Sequence, residues 1–195
     1  MSSSGRSRDR FEDSGFAVPL STEVEGALSF QSYSGAESIE GVRLDGMRKH
    51  RGENGWFAEL FRLDAGNLNV ADGALVELRQ ISAAYAEPHR INAFHIHPKQ
   101  AQDEIWLVLQ GGLTVWMVDC RLGSGTESVR QRVQLSGEAP QRLFIPAGVA
   151  HGYRAGGSGA LLVYAMNQQF DPADPNEGRL PWDHFGADLW EEDRG

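Results

Sequence analysis

Phe94-His95-Ile96-His97 and, after a short gap, Asp103-Glu104-Ile105-Trp106-Leu107-Val108-Leu109-Gln110-Gly111-Gly112 decide the fold. Successive side chains of a strand point to opposite faces, so His95 and His97 share one face. Glu104 opens the next run, which alternates and reaches a Gly-Gly pair. Leu113 to Asp119 then reads as the return strand of a hairpin turning at Gly111-Gly112. Outward from there, Val76 to Ser82 and Val129 to Leu135 alternate apolar with polar residues, as half-buried strands do. Gly55 to Phe61, Arg142 to Ile145 and Ala160 to Met166 read as further short strands, the last after a turn at Gly156 to Gly159. Pro88 breaks the run before His95. No long segment carries a helical period, so the chain is expected to be all-β, an antiparallel sandwich or barrel.

At 195 residues, 41% of them hydrophobic and 23% charged, the chain fits one globular domain with a substantial core. A formal net charge of -9 disfavours nucleic acid and anionic membranes as partners. A single cysteine, Cys120, precludes an intrachain disulfide and reads as a small buried residue. No apolar run reaches the ~20 residues of a membrane helix, and no hydrophobic leader is read, so a cytoplasmic setting is expected. Met1 to Asp13 has almost nothing apolar to bury and is expected to be disordered. Phe16 to Leu20 and Ala27 to Phe30 are short apolar patches suited to packing on the domain or on a neighbouring subunit. Residues 1–38 therefore form an N-terminal arm, and 39–195 the domain with a C-terminal extension in which Trp182 and Trp190 are expected anchors.

Three chemistries fit His95, His97, Glu104 and His151, the last from Pro146-Ala147-Gly148-Val149-Ala150-His151. Neutral imidazoles and a carboxylate bind a divalent ion such as Zn, Mn, Fe, Ni or Cu. A histidine near neutral pKa also removes a proton beside a carbonyl without metal. Ordinary strand histidines are the third alternative. His50 and His89 lie in polar loops and are expected in solvent.

The two elements resemble the two motifs of the cupin superfamily. His95-x-His97, Glu104 and Gly111 match the first, with a longer gap before Glu104. Pro146, Gly148 and His151 match the second, with Ala155 where an Asn is customary. From Ile39 to Trp190 the chain more narrowly resembles the dTDP-4-dehydrorhamnose 3,5-epimerase family. Gly55-Trp56-Phe57-Ala58-Glu59-Leu60-Phe61 is similar to that family's Gly-Phe-Phe-x-Glu-x-Phe, and Phe94-His95 to the end of its Gly-Leu-His. Val118-Asp119-Cys120-Arg121 is similar to its Val-Asp-x-Arg. Ile145 through Tyr153 resembles its Ile-Pro-x-Gly-x-Ala-His-Gly-Phe, and Tyr164 the tyrosine of its Leu-Tyr-Lys.

The resemblance implies a double-stranded β-helix, the cupin or jelly-roll barrel, and a homodimer. It implies an isomerase acting on a keto sugar or sugar nucleotide by proton transfer next to the carbonyl. His95 would be the base, Tyr164 the acid on the opposite face, and His151 would line the pocket. Phe57, Glu59, Asn92 and Phe170 would touch substrate. The chain also departs from the family. Its phosphate-binding arginines fall at Asn54 and Asn92, its lysine at Glu104, a glutamine at His97 and a second tyrosine at Phe170. The aspartate that partners its catalytic histidine comes from a tail beyond the domain, for which no counterpart is read here. These departures favour a cation, so a metal-dependent cupin, isomerase or oxygenase, held by His95, His97, Glu104 and His151 is the alternative. A sugar-binding cupin without activity is a further one. Sugar-nucleotide 3,4-ketoisomerases share the His-x-His, and the C-terminal third resembles them less.

Overall fold

In a computed structural model of the chain, residues 16–30, 37–65, 67–69 and 75–192 are described. The disorder expected of Met1 to Asp13 concerns residues outside these. The chain divides into two compact units, residues 1–35 and 36–195. In the first, a short helix, α1 (Thr22–Ala27), is capped by Ser21, whose Oγ accepts from the Val24 amide at 3.3 Å. Phe16 and Phe30 flank it, ring centroids 6.0 Å apart.

In the second unit the strands pair antiparallel, and a 3-10 turn (Ala187–Trp190) follows them. Its strands are β1 (Arg43–Gly46), β2 (His50–Gly52), β3 (Gly55–Phe57), β4 (Leu63–Asp64), β5 (Asn67–Asn69) and β6 (Leu75–Glu77). There follow β7 (Gln80–Ala86), β8 (Ile91–Ile96), β9 (Glu104–Asp119), β10 (Arg130–Ser136), β11 (Gln141–Ile145), β12 (Val149–Met166) and β13 (Gly178–Arg179). The main sheet runs β1-β11-β9-β12-β8-β13, with β10 added to β9 and β7 to β12; β2-β3 and β4-β5-β6 form two small sheets. This is the jelly-roll barrel expected of the sequence.

The expected hairpin at Gly111-Gly112 is not there. β9 passes through both glycines as one strand of 16 residues, and β12 passes through Gly156 to Gly159 as one of 18. The glycines bend the strands instead of reversing them. Gly111 (φ 72°) and Gly159 (φ 69°) adopt the left-handed conformation, and the ladder between β9 and β12 shifts register between Ala155 and Ala160. The bends pack together: a Cβ on Gly111 would lie 1.9 Å from the Gly159 carbonyl oxygen. Partners change at these bends. β9 pairs with β11 before Gly111 and with β10 after it; β12 pairs with β8 before Gly156 and with β7 after Gly159. Val76 to Ser82, expected as one strand, is likewise split between β6 and β7, and the Gly55 to Phe61 strand stops at Phe57.

Inward residues of β9, β10 and β11 fill the barrel. Val108, Leu113, Val115, Met117, Leu135, Leu143 and Ile145 are each no more than 1% exposed. A second core lies where the C-terminal segment covers β8, β9 and β12. Phe94 packs edge-on against Phe185 at 4.8 Å and tilted against Trp190 at 5.3 Å. Trp190 is an anchor as expected: it is buried and donates Nε1–H to the Trp182 carbonyl at 2.7 Å. Trp182, expected as a second anchor, is instead 51% exposed. Cys120 is exposed, not buried, because it follows the last residue of β9. Asp119, by contrast, is buried and gathers the loop beyond it. Its carboxylate accepts from Arg121 Nε and Nη2 at 2.8 Å, Ser124 Oγ at 2.7 Å and Thr126 Oγ1 at 2.6 Å. These donors hold its pKa far below the usual carboxylate range, Arg121 most of all.

Candidate active site

Closure of the barrel brings distant positions together. His151 pairs with Met117, thirteen positions along β9 from Glu104, about 43 Å in an extended strand at ~3.3 Å per residue. Yet His151 Nε2 lies 3.5 Å from Glu104 Oε2. His97, just past the end of β8, places Nε2 2.9 Å from Glu104 Oε1. His97, Glu104 and His151 thus form a triad whose ligand atoms lie within 4.8 Å of one another.

His95, read from the sequence together with these three, stands outside the triad. Its ring centre is 6.2 Å from that of His151, its Nδ1 faces Glu177 Oε1 at 3.6 Å and its Nε2 faces Asn92 Oδ1 at 3.2 Å. The two imidazoles share one cavity, as the His-x-His alternation predicts, but not one set of partners. The reason is the edge strand β13, which pairs with β8 through Arg179↔His95 and Gly178↔Ile96. It brings Glu177 beside His95 and the Asn176 carbonyl oxygen to 2.5 Å from His97 Nδ1.

The cavity has a volume of about 360 Å³. His95, His97, Glu104, Asn92, Tyr164 and Phe170 line it together with Glu177 and Arg179. Phe57 and Glu59 do not. Phe57 is 66% exposed on the small β2-β3 sheet, and Glu59 is tied to Arg62 at the surface. A groove of about 350 Å³ shares Asn92 and Arg179 with the cavity and adds Arg90 and Trp182.

The electrostatics separate the histidines. Burial, with the charges of His151 and Arg179, brings His95 down to about 4, so its imidazole is neutral at pH 7. Burial also opposes a charge on His97, but the Glu104 carboxylate outweighs it and raises the His97 pKa. Burial opposes the charge of Glu104, but His151 and then His97 outweigh it and hold its carboxyl well below the usual range. Gln102 Nε2 and Trp106 Nε1 also donate to Glu104, at 2.7 and 2.6 Å. Burial raises the Tyr164 phenol, against the Ser82 hydroxyl beside it, so the phenol is protonated at pH 7.

Sequence reasoning missed Gln102, Trp106, Glu177 and Arg179. The first two were legible, since Gln102, Glu104 and Trp106 alternate onto one face. Glu177 and Arg179 carried no signal, because the register of a two-residue edge strand leaves none.

Residues 36–189 match the family model described as dTDP-4-dehydrorhamnose 3,5-epimerase. The chain belongs to the dTDP-4-dehydrorhamnose 3,5-epimerase family. It is 36% identical to the spore coat polysaccharide biosynthesis protein SpsL of Bacillus subtilis over 146 residues, 74% of this chain and 91% of that one. It is 33% identical to a dTDP-4-dehydrorhamnose 3,5-epimerase of Sinorhizobium fredii over 162 residues, 83% of this chain and 79% of that one. The fold matches that of RmlC from Legionella pneumophila, a dTDP-6-deoxy-D-glucose-3,5-epimerase crystallised with dTDP-4-keto-L-rhamnose. That match has a TM-score of 0.66 at 25% identity, over 74% of this chain and 75% of that one. The epimerase family and its barrel are those the sequence resembled. No helix among the described residues is long and apolar enough to cross a membrane.

Proposed function

We propose that this epimerase-family barrel inverts a carbon beside the ketone of a 4-keto sugar nucleotide, with His95 as base and Tyr164 as acid. One observation carries the assignment: a neutral imidazole and a protonated phenol line the same cavity, and a carboxylate stands at the imidazole's Nδ1. A carboxylate there favours Nδ1–H and stabilises the imidazolium that forms, and Nε2 accepts the carbon-bound proton once substrate displaces its 3.2 Å contact with Asn92 Oδ1. Glu177 supplies what the family takes from a tail beyond the domain. The protonated Tyr164 is the group able to return a proton to the planar enolate.

The handle is a nucleoside diphosphate. Among the described residues lining the cavity, Arg179 is the only Lys or Arg, and it is ion-paired with Glu177. The sugar therefore occupies the cavity, and the diphosphate the adjoining groove, between Arg90 and Arg179, with the exposed Trp182 ring as a stacking face for the base. A cytoplasmic setting and pairing of two copies complete the proposal; sedimentation of the full chain tests the pairing.

Incubation with dTDP-linked 4-keto-6-deoxy sugars in deuterated water tests the chemistry, with NMR following the protons at C3 and C5. The parent protein incorporates deuterium with inversion. His95→Ala abolishes incorporation, whereas Tyr164→Phe keeps exchange and loses inversion. Folded protein that exchanges neither proton in any such substrate, or His95→Ala exchanging at the parental rate, refutes the assignment.

A further inference from the structure

We infer that His97, Glu104 and His151 form a binding site for a divalent first-row metal ion, distinct from the His95–Tyr164 pair and opening on the same cavity. Hydrogen-bond bookkeeping carries this. His97 Nδ1 lies against the Asn176 carbonyl oxygen and His151 Nδ1 against the Val149 carbonyl oxygen at 3.0 Å. A carbonyl oxygen only accepts, so both Nδ1 atoms carry hydrogen. In a neutral imidazole the lone pair then sits on Nε2, and both Nε2 atoms point at the Glu104 carboxylate, which is itself acceptor only.

Neither Nε2 makes an aligned hydrogen bond, and both are shut off from solvent, on side chains 9% and 3% exposed. Buried lone pairs converging on a carboxylate need something positive between them. A divalent cation satisfies all three groups at once. Without an ion, a proton on His97 can pair with Glu104 at 2.9 Å, but the His151 Nε2 lone pair then still faces a carboxylate with no donor between them, and protonating His151 as well buries a net positive charge beside a third histidine.

The donor set fits the ion. Two imidazole nitrogens and one carboxylate suit a borderline ion such as Zn²⁺, Mn²⁺, Fe²⁺ or Co²⁺. Ligand bonds of about 2.1 Å put neighbouring ligand atoms roughly 3.0–3.5 Å apart. The nitrogen-to-oxygen separations are 2.9 and 3.5 Å. The surroundings are those of a ligand set as well, with each imidazole oriented through Nδ1 by a backbone carbonyl and the carboxylate by Gln102 and Trp106. Because only three protein groups converge, the cavity side stays open to a ligand. When bound, such an ion supplies a Lewis acid for a carbonyl oxygen, where the family's lysine falls at Glu104. That use rests on the epimerase assignment; the site itself does not.

The test reads binding apart from turnover. Full-length protein purified without chelators is titrated with Co²⁺ and followed by visible d–d absorption and elemental analysis. One ion per chain is expected. Removing an orienting group costs about 10–100-fold in affinity, so His97→Asn and Glu104→Gln should lose at least ~100-fold, while His95→Ala binds as the parent does. Folded parent protein that takes up no Co²⁺, or His97→Asn that binds like the parent, overturns the site. Should the variants fail to fold, nitrogen-15 NMR of the parent's histidines decides. Unprotonated Nε2 on His97 and His151 at neutral pH supports the site, and protonated Nε2 on both overturns it. Carbon–hydrogen exchange measured on the same samples separates failure of the metal site from failure of the epimerase assignment.

Discussion

Replacing Gly111 by alanine tests the central feature of the barrel, the paired bend of β9 and β12. Two costs arise. A left-handed backbone at φ 72° costs a non-glycine residue about 1–2 kcal/mol. The new Cβ would also lie 1.9 Å from the Gly159 carbonyl oxygen and 2.9 Å from its carbon. These are backbone atoms, so no rotamer relieves the overlap. β12 must recede by about 1 Å, stretching the ladder at Gly111↔Ala160, for roughly 2–4 kcal/mol more. Gly123→Ala is the control: its φ is 77°, and nothing lies within 4 Å of its Cβ position. That variant should lose only the backbone cost, about 1 kcal/mol. Gly111→Ala should lose about 3–6 kcal/mol, a large share of the ~5–15 kcal/mol by which domains are stable. Urea unfolding of both variants reads the difference. A Gly111→Ala protein within about 1 kcal/mol of Gly123→Ala would show that the bends do not meet, and with that the continuous-strand geometry fails.

Other perturbations reach other parts of the molecule. A charge pair at 3.6 Å is worth roughly 1–5 kcal/mol at effective dielectrics of ~80 down to ~20. Because Arg179 shares Glu177, Glu177→Gln should lower the exchange rate by about 10- to 100-fold with KM little changed, and an unchanged rate removes Glu177 from the chemistry. Asp119→Asn should cost about 2–3 kcal/mol at pH 7 by weakening a buried, charge-assisted network. The folded pKa of Asp119 is depressed, so its contribution is present above the unfolded value near ~3.9 and is lost as pH falls through the folded value. Acid titrations of parent and variant should therefore begin to converge below about pH 4 and meet only below the depressed folded value. Trp190→Ala removes the ring packed on Phe94 and should cost about 3–5 kcal/mol, read by thermal unfolding.

The strands were legible wherever one face is buried and the other wet, because that contrast writes a period of two into the sequence. Arg130–Ser136 and Gln141–Ile145 are examples. The glycines misled for a physical reason. A Gly-Gly pair suits a hairpin turn and a strand bend equally, and only packing against Gly159, far away in sequence, selects the bend. His97, Glu104 and His151 were legible as a set because their motifs are local. That His95 leaves the set was not, because Glu177 claims it through a long-range register. Phe57 and Glu59 matched a family strand in sequence, but Phe57 ends the small β2-β3 sheet, Glu59 follows it, and neither lines the cavity.

The short edge strand β13 has a thermal consequence. Within four residues the segment 176–179 supplies the carbonyl on His97, the carboxylate on His95 and the guanidinium near Asn92. It is held to β8 by only a two-residue pairing, continued by Leu180 N–H donating to the Phe94 carbonyl at 3.0 Å. The barrel wall behind it is built on strands of 16 and 18 residues. Local opening of an edge costs far less than global unfolding. On warming, the groups that face His95 and His97 should therefore lose their alignment while the barrel stays intact, so that heat inactivation precedes melting and reverses on cooling.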